Sequence, residues 1–433
     1  MKREFDIIVV GAGPAGAAAA LVAARAGCSV CLLERGPFPG AKNMYGGVVY
    51  PRVLDALLPK WWEEAPVERW VTRRSTVMLT PAQSVALDFR TTSWGSPPHN
   101  GATALRPEFD RWLASKAVEA GATLVTATTA TGLIRERGRV AGVHTDREEG
   151  DLRASLVIAC DGVNSFLARE AGLYPGFAAA HLTLGAKEVL GFPRRVIEER
   201  FGLRDRQGAD IEVVGCTRGL PGGGFIYTNL DSVAIGVVVS LVEHGRRGHR
   251  PEDLIADFKA HPAIAPLVEG GTLLEYSAHL IPEGGYKHLP ELAADGLLVA
   301  GDAAGMCLAA GLWLEGVNFA IGAGIAAGET AAEALARGDT SRSGLAGYRR
   351  RLEAGFVLAD HKRFRGAPDL VLSERVQVRY PALACGLFEE MFTVTNPAPK
   401  QGMLRLLRRQ LKQQGIRWRE VARDVFRIWR TFG

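Results

Sequence analysis

Phe5-Asp6-Ile7-Ile8-Val9-Val10 runs without a break into Gly11-Ala12-Gly13-Pro14-Ala15-Gly16, and the reading of this stretch decides the fold. A continuous apolar, β-rich run suits a strand buried on both faces of a parallel sheet. The glycines that follow have the spacing of a dinucleotide-binding turn. Gly11 falls at the tight bend, Gly13 where backbone approaches a pyrophosphate, and Gly16 where a helix packs on the strand. Residues 17–25 are dense in alanine and read as that helix, closed by Gly27. Residues 29–33 read as a second buried strand ending at Glu34. Glu34 lies 18 residues beyond Gly16, close to the roughly 20 expected of an acid that bridges ribose hydroxyls. Arg35 beside it has two readings, a plane stacked on adenine and a solvated charge.

Outward from this βαβ unit, residues 106–121 carry apolar positions at helical spacing, with Pro107 near the start and Gly121 at the stop. A β pair is expected around 122–145, and residues 156–160 form another buried strand ending at Asp161-Gly162. From about 180 to 290 the pattern changes to longer alternating segments. Residues 211–216, 224–228 and 232–241 read as antiparallel strands, with Asn229, Leu230 and Asp231 as turn. Residues 297–300 return as a buried strand into Gly301-Asp302, and a glycine-spaced helix follows to about residue 337. The expected architecture is α/β, with α+β character in an inserted part. Residues 1–175 form the first part of a Rossmann-type domain, 176–290 an inserted antiparallel-sheet substrate domain, 291–345 the closing strand and helix, and 346–433 a helical basic region.

In 433 residues, 47% hydrophobic and 23% charged content excludes disorder, collagen and coiled coil. The longest uncharged apolar stretches, near 14–24 and 316–328, fall short of the roughly 18–20 residues of a membrane span. Lys2-Arg3-Glu4 leads straight into a strand, so no signal peptide and a cytoplasmic protein are expected. The six cysteines sit mostly in apolar runs and read as reduced core thiols. Cys28 and Cys31 do form a C-x-x-C, but it brackets Ser29 and Val30 where a buried strand begins, which suits packing better than redox chemistry. The nine histidines are dispersed, with neither H-x-x-x-H nor H-E-x-x-H spacing, and no metal site is expected.

The far end of the chain separates a flavin from a nicotinamide. A carboxylate at a strand end, Asp302 after Gly301, accepts from ribityl hydroxyls, and a helix beginning just beyond turns its positive end toward the flavin pyrimidine oxygen or N1. Together with the N-terminal turn this arrangement binds FAD along its length. An ordinary aspartate cap and a second nicotinamide site are the competing readings.

Gly11 to Gly16 with Glu34-Arg35, the Arg106-x-x-Phe109-Asp110 helix, Asp161-Gly162 and Gly301-Asp302-Ala303-Ala304 occur in a shared order. It resembles that of FAD-dependent enzymes of the glutathione-reductase-like and hydroxybenzoate-hydroxylase-like fold. More narrowly, three features resemble the FixC family, relatives of electron-transfer-flavoprotein:quinone oxidoreductase. They are Pro39-Gly-Ala-Lys-Asn-Met-Tyr-Gly-Gly47, the Asp146-Arg147 pair, and Cys160-Asp-Gly-Val-Asn-Ser165. The likeness covers about residues 4–335 well and the tail more weakly. It implies that Gly11, Gly13, Pro14, Ala15 and Gly16 hold the pyrophosphate, Glu34 the ribose with Arg35 beside it, Arg106 a phosphate, and Asp302 the ribitol. Asp161, Gly162 and Gly301 join them as cofactor-binding positions. The loop from Gly40 to Gly47, with Lys42 and Asn43 as candidate catalytic residues, would lie near the isoalloxazine. A lysine near N1 or the C2 oxygen stabilises the anionic reduced flavin, and a solvated loop lysine is the other reading of Lys42. Gly316 and Asn318 open the helix facing the pyrimidine edge, where Asn318 also suits a plain helix start.

The activity the resemblance implies is electron transfer from an electron-transfer flavoprotein, with its alpha and beta subunits, to a quinone. The assembly would be of FixABCX type, bifurcating electrons from NADH between quinone and a low-potential ferredoxin or flavodoxin. One departure stands out. The quinone oxidoreductases carry a C-terminal four-cysteine cluster, whereas Cys385 stands alone after residue 310. That fits FixC proteins, which work with a separate small ferredoxin-like subunit. Tyr286 and His288, on the Gly-Pro loop 279–290, read either as partners of a quinone carbonyl or as plain loop. The alternative functions are a geranylgeranyl-reductase-like isoprenoid reductase, a flavin-dependent monooxygenase, and a module holding flavin as a structural ligand. The halogenase-type W-x-W-x-I-P is absent.

The formal charge of +5 conceals an asymmetry. Residues 400–433 hold ten basic residues against Glu420 and Asp424, a net of +8, which leaves −3 for residues 1–399. Leu404, Leu406, Leu407, Trp418, Phe426, Trp429 and Phe432 are interleaved with those charges. Such a segment lies on anionic lipid, grips an acidic partner, or packs one face on its own domain. Lipid contact would make the protein peripheral on the cytoplasmic face of the membrane. Nucleic acid is not an expected partner.

Overall fold

The computed structural model describes residues 3–41, 47–311 and 314–433. Two compact units alternate along the chain, residues 1–67, 100–182 and 280–365 forming the first and 68–99, 183–279 and 366–433 the second. β1 (Glu4–Val10), α1 (Pro14–Arg25) and β2 (Val30–Leu33) open the first unit. β3 (Val67–Leu79) and β4 (Ser84–Arg90) belong to the second. α2 (Arg106–Glu119), β5 (Thr123–Val125), the hairpin β6 (Ala130–Glu136) and β7 (Arg139–Thr145), and β8 (Leu152–Ala159) return to the first. The second unit then takes β9 (Leu182–Gly191), α3 (Arg194–Phe201), β10 (Gln207–Val214), β11 (Gly222–Thr228), β12 (Ser232–Ser240), α4 (Pro251–Ala260) and β13 (Thr272–Pro282). β14 (Leu297–Val299) and α5 (Val317–Ala336) complete the first unit. α6 (Tyr380–Phe392), α7 (Met403–Gln413) and α8 (Trp418–Phe432) end the chain in the second.

The first unit is a Rossmann-like α/β layer. Its parallel strands run in the order β14-β8-β1-β2-β5. Val10 pairs with both Leu33 and Ala159, and Ala159 with Val299. The strands therefore end level, and the residues that follow them share one carboxyl edge, where ligands of open α/β sheets bind. Ile7, Ile8, Leu32, Val157 and Leu298 have no exposed surface, as a sheet covered on both faces requires. The glycine spacing of α5 has a packing cause. A Cβ on Gly324 would come within 2.1 Å of the Ala15 carbonyl oxygen, and one on Gly328 within 2.7 Å of that of Ala19. Only glycine lets α5 approach the alanine face of α1 so closely.

The second unit holds a sheet ordered β13-β9-β12-β11-β10-β3, with β4 beyond β3. Its pairings from β9 to β10 are antiparallel, and β10 runs parallel to β3. The sequence reading left residues 68–99 with the first Rossmann segment. Here β3 is a strand of the second sheet, and the reason is visible in its pattern. It mixes buried with half-buried positions along its length, unlike the continuous buried runs 7–10 of β1 and 30–33 of β2. One face of this sheet, with Ile211, Val213, Ile226, Ile235 and Val237, closes a core with Ile197 and Phe201 of α3 and Leu254 and Phe258 of α4. Arg69 is wholly buried on β3, where its guanidinium donates to the carbonyls of Asn229, Asp205, Gln207 and Leu230 and so fixes the turn after β11.

The basic tail is helical and anchored through both of its helices: on α7, Arg409 donates to Glu390 at 2.9 and 2.6 Å and Gln410 at 2.8 Å, with Leu406 and Leu411 buried. Asp424 on α8 accepts from Nε and Nη2 of Arg375 at 2.6 and 2.9 Å and from the Tyr380 hydroxyl at 2.7 Å. The Arg375 hydrogen bond holds the Asp424 carboxyl below its ordinary range, while burial and Asp424 push the Tyr380 hydroxyl up to about 12. The opposite side of α8 is bare: Trp418, Val425, Phe426, Ile428 and Trp429 are exposed. Among the described residues no helix is long and apolar enough to cross a membrane.

Candidate functional site

At the carboxyl edge of the first sheet, the three glycines of the opening turn have different tasks. Gly11 has φ +99°, and a Cβ there would lie 2.2 Å from the Cys160 carbonyl oxygen. On Gly16 a Cβ would lie 1.8 Å from the Gly11 carbonyl oxygen. Gly13 is the opposite case, since a Cβ on it would meet no atom within 4 Å. The chain itself needs the outer two, and the middle one borders open space. Into that space point the first N–H groups of α1, which begins with Pro14 and leaves Ala15 and Gly16 without intrahelical acceptors. Unpaired donors and a positive helix end suit a pyrophosphate.

Glu34 follows β2 at the same edge, 8% exposed. Its Oε2 accepts from the Ala12 N–H at 3.1 Å and its Oε1 from the Gly36 N–H at 2.7 Å. Two backbone donors thus lock the carboxylate beside the turn. Arg35 is exposed, and its charge reaches Asp161. Asp161 follows β8; its Oδ2 accepts from the Leu167 N–H at 3.1 Å, and its buried Oδ1 has no partner among the described residues. Burial pushes this carboxyl up. Next to it, Gly162 takes φ +76°. After β14, Gly301 at φ +69° opens a single helical turn that carries Asp302, to whose Oδ1 the Cys307 thiol donates at 3.3 Å. Arg106 starts α2 and holds Asp110 through two hydrogen bonds, at 2.9 and 2.8 Å, while also feeling the charge of Asp302. Gly40, at φ +88°, packs against the start of α2, where a Cβ would meet the Arg106 carbonyl oxygen at 2.9 Å. Gly316 precedes α5, and Asn318 in its first turn donates to Glu315 at 2.5 Å, leaving a buried Oδ1 with no partner among the described residues.

Gly11, Gly13, Glu34, Asp161 and Asp302, far apart in sequence, lie along one sheet edge, and two buried oxygens, on Asp161 and Asn318, have no partner among the described residues. Lys42 and Asn43 lie outside the described residues, and Gly47 begins a short strand, Gly47–Val49, paired with Ala102–Ala104. In the 279–290 loop, His288 stacks on His181 with ring centroids 3.5 Å apart, and Tyr286 interacts with Arg349. In the Cys28-x-x-Cys31 pair burial pushes both thiols up, Cys31 to about 12. Burial likewise raises Cys160, Cys216, Cys307 and Cys385, and all six are unbridged. Among the described residues no group of His, Cys, Asp and Glu is arranged to hold a metal.

Sequence reading missed two features. His361 is buried on the helix Phe356–Arg363, its ring nitrogens 2.6 Å from the Val357 oxygen and 3.2 Å from that of Cys307, so it props the loop behind Asp302. A dispersed histidine gives no local signal of this. The second is the pair Asp210 and Glu212 inside β10, discussed below. Carboxylates at alternate positions of the apolar run Ala209-Asp-Ile-Glu-Val-Val214 were the available clue.

A Rossmann edge shaped in this way defines an FAD-dependent oxidoreductase, and comparison with known proteins agrees. Residues 4–189 match the FAD binding domain family, and residues 368–433 match the ETF-QO/FixC family C-terminal domain. The chain belongs to the ETF-QO/FixC family. It is 41% identical to the probable electron transfer flavoprotein-quinone oxidoreductase YdiS of Escherichia coli K12, over 95% of this chain and 96% of that one. It is 37% identical to the FixC protein of Bradyrhizobium diazoefficiens over 100% of both chains. Among solved structures, a geranylgeranyl bacteriochlorophyll reductase-like protein from Thermoplasma acidophilum shares the fold. Its TM-score is 0.72 at 20% identity, covering 98% of this chain and 99% of that one.

Proposed function

We propose that this chain accepts electrons from an electron-transfer flavoprotein of alpha and beta subunits and passes them to a quinone. It would act as the FixC-type subunit of an electron-bifurcating FixABCX-type complex with a small ferredoxin-like subunit. The observation that carries this reading is the near full-length likeness to a relative whose name gives both donor and acceptor. The parallel sheet and its late return strand β14 support the glutathione-reductase-like subdivision, with the second unit's sheet as the quinone domain.

Bound FAD supplies a carrier that exchanges electrons with both partners. The chain's own part is positioning. Gly11, Gly13, Pro14, Ala15 and Gly16 hold the pyrophosphate, Glu34 accepts from ribose hydroxyls, and Arg35 covers the adenine. Arg106 neutralises a phosphate, Asp302 beyond Gly301 holds the ribitol, and Asp161-Gly162 completes the edge. Gly316 and Asn318 face the pyrimidine end with the positive pole of α5. In this reading Lys42 and Asn43 act beside the isoalloxazine with Gly47, a lysine there favouring the anionic reduced flavin.

The tail supports a peripheral membrane location. Eleven of the twenty-one exposed large apolar side chains among the described residues fall from Phe388 onward. On α8, Trp418, Phe426 and Trp429 share a face flanked by Arg419, Arg423 and Arg430, while Asp424 faces the body. This pattern supports a helix lying on an anionic lipid surface, which in this reading is the cytoplasmic face of the membrane.

The test is anaerobic mixing of the holoprotein with reduced electron-transfer flavoprotein and then with a quinone. Reduction followed by quinone-dependent reoxidation is expected. Direct oxidation of NADPH without the flavoprotein would move the chain to the monooxygenases, and saturation of a prenyl double bond to the isoprenoid reductases.

A further inference from the structure

The second unit's sheet has two unlike faces. One closes the aliphatic core described above. The other is defined by strand register. Lys187, Gly236, Phe225, Glu212 and Thr76 are successive partners across β9, β12, β11, β10 and β3. In the adjacent row stand Ala234, Tyr227, Asp210 and Arg74. Side chains two residues apart on a strand share a face. Polar groups are therefore concentrated on the side opposite the aliphatic core, and they are not surface groups: Lys187 and Asp210 are each 1% exposed.

The charges on this face are ordered. Arg74 Nε lies 3.0 Å from Asp210 Oδ2, an ion pair on this face. Glu212 stands two residues on, on the same face, and feels the Asp210 charge. A carboxyl beside a buried carboxylate keeps its proton, because two such charges at close range repel strongly. The Tyr227 hydroxyl donates to Glu212 Oε1 at 3.4 Å. Burial first, and the Asp210 charge second, hold the Glu212 proton well above the usual carboxylate range, with Arg74 and Tyr227 opposing. Beside this pair lies an aromatic shelf. Phe225 and Tyr227 stack with centroids 4.7 Å apart at 17°. Gly236 makes room for it, since a Cβ there would meet the Phe225 ring at 2.5 Å and the Lys187 Cβ at 2.6 Å.

We propose that Glu212, backed by Asp210 and Tyr227 and set beside the Phe225–Tyr227 shelf, is the proton donor to the quinone oxygen. This inference rests on the quinone reading of the function. Reduction of a quinone to a quinol takes two electrons, here from the reduced flavin, and two protons. Glu212 gives one proton to a quinone oxygen and is left as the carboxylate, the second proton comes from solvent, and Glu212 is then reprotonated from solvent. A neutral carboxylic acid in a desolvated setting suits this task, since it gives up a proton without already bearing the charge that would repel a reduced ring.

The test uses the holoprotein and Glu212→Gln. Infrared difference spectra across pH are expected to show the carbonyl stretch of a protonated carboxylic acid at neutral pH, lost in E212Q. Quinone reduction is expected to fall about 100-fold in E212Q, the scale of a missing general acid. Reduction by the electron-transfer flavoprotein, and oxidation by ferricyanide, which takes up no proton, should keep wild-type rates. Tyr227→Phe removes a bond that favours the carboxylate, so the alkaline limb of quinone reduction should move to higher pH. An unchanged quinone rate and pH profile in E212Q, or no protonated-acid band in the wild type, overturns the proposal. A wild type that reduces ferricyanide but no quinone overturns the functional reading instead, whatever the band shows.

Discussion

In the first unit the groups proposed to face a ligand are mostly backbone: N–H donors at the head of α1, glycines with no side chain, and a carboxylate, Glu34, fixed by two amides. In the second unit they are side chains that meet only because strands far apart in sequence pair in register, as Arg74, Asp210, Glu212 and Tyr227 do. A backbone site is written in local spacing, and a change of one atom in it meets rigid neighbours. A side-chain site depends on long-range register, and changing one member shifts charge more than shape.

The sharpest way to break this contrast is to add one carbon in the first unit. Gly16→Ala places a Cβ 1.8 Å from a carbonyl oxygen. The expected result is a loss above about 4 kcal/mol or no soluble protein, read by denaturant titration. Gly13→Ala should keep the wild-type midpoint, because nothing lies within 4 Å, yet purify without the yellow flavin absorbance. A stable, yellow G13A protein would show that the open space is not the pyrophosphate site.

A smaller effect is expected where one side-chain pin fails in the second unit. Asp424→Ala leaves Arg375 and Tyr380 without their shared acceptor. Breaking a fully buried pair costs about 3–5 kcal/mol, but Arg375 reaches solvent, so about 1–2 kcal/mol is expected. Calorimetry would measure it, together with faster proteolysis of the tail.

The two acids give opposite pH signatures. Asp424 is held below its ordinary range, so its contribution is present above that range and lost as pH falls through the folded value. Glu212 is held above its range, so the folded chain keeps a proton that the unfolded chain has released. Its contribution is lost as pH rises through the folded value. Stability of E212Q against wild type across pH should remove the second trend and leave the first. The smallest stability effect is expected at Trp429, which is 68% exposed. Trp429→Ala should stay within about 0.5 kcal/mol of wild type while weakening sedimentation with anionic vesicles.

The reach of sequence reading follows the same division. β1, the turn, α1 and β2 were legible because each signal lies within thirty-odd residues, and Gly301-Asp302 because a buried strand announces it. The glycines of α5 were visible as a pattern, but their cause, the close approach to Ala15 and Ala19, depends on a helix some 300 residues away in the chain. β3 was missed as a strand of the second sheet because its parallel partner β10 lies more than 120 residues on. Glu212 reads locally as one more charge in a strand. Its neighbours, supplied by β3 and β11, give it its chemistry.

The six cysteines bear on how such a protein survives its own trade. A carrier that meets stray oxygen generates peroxide at its doorstep, and peroxide attacks thiolates. Burial pushes each of the six cysteine thiols above its ordinary range, away from the thiolate that peroxide attacks. The polypeptide therefore acts as insulation around its conductor, and an electron count on the purified protein should register the flavin with no sulfur contribution.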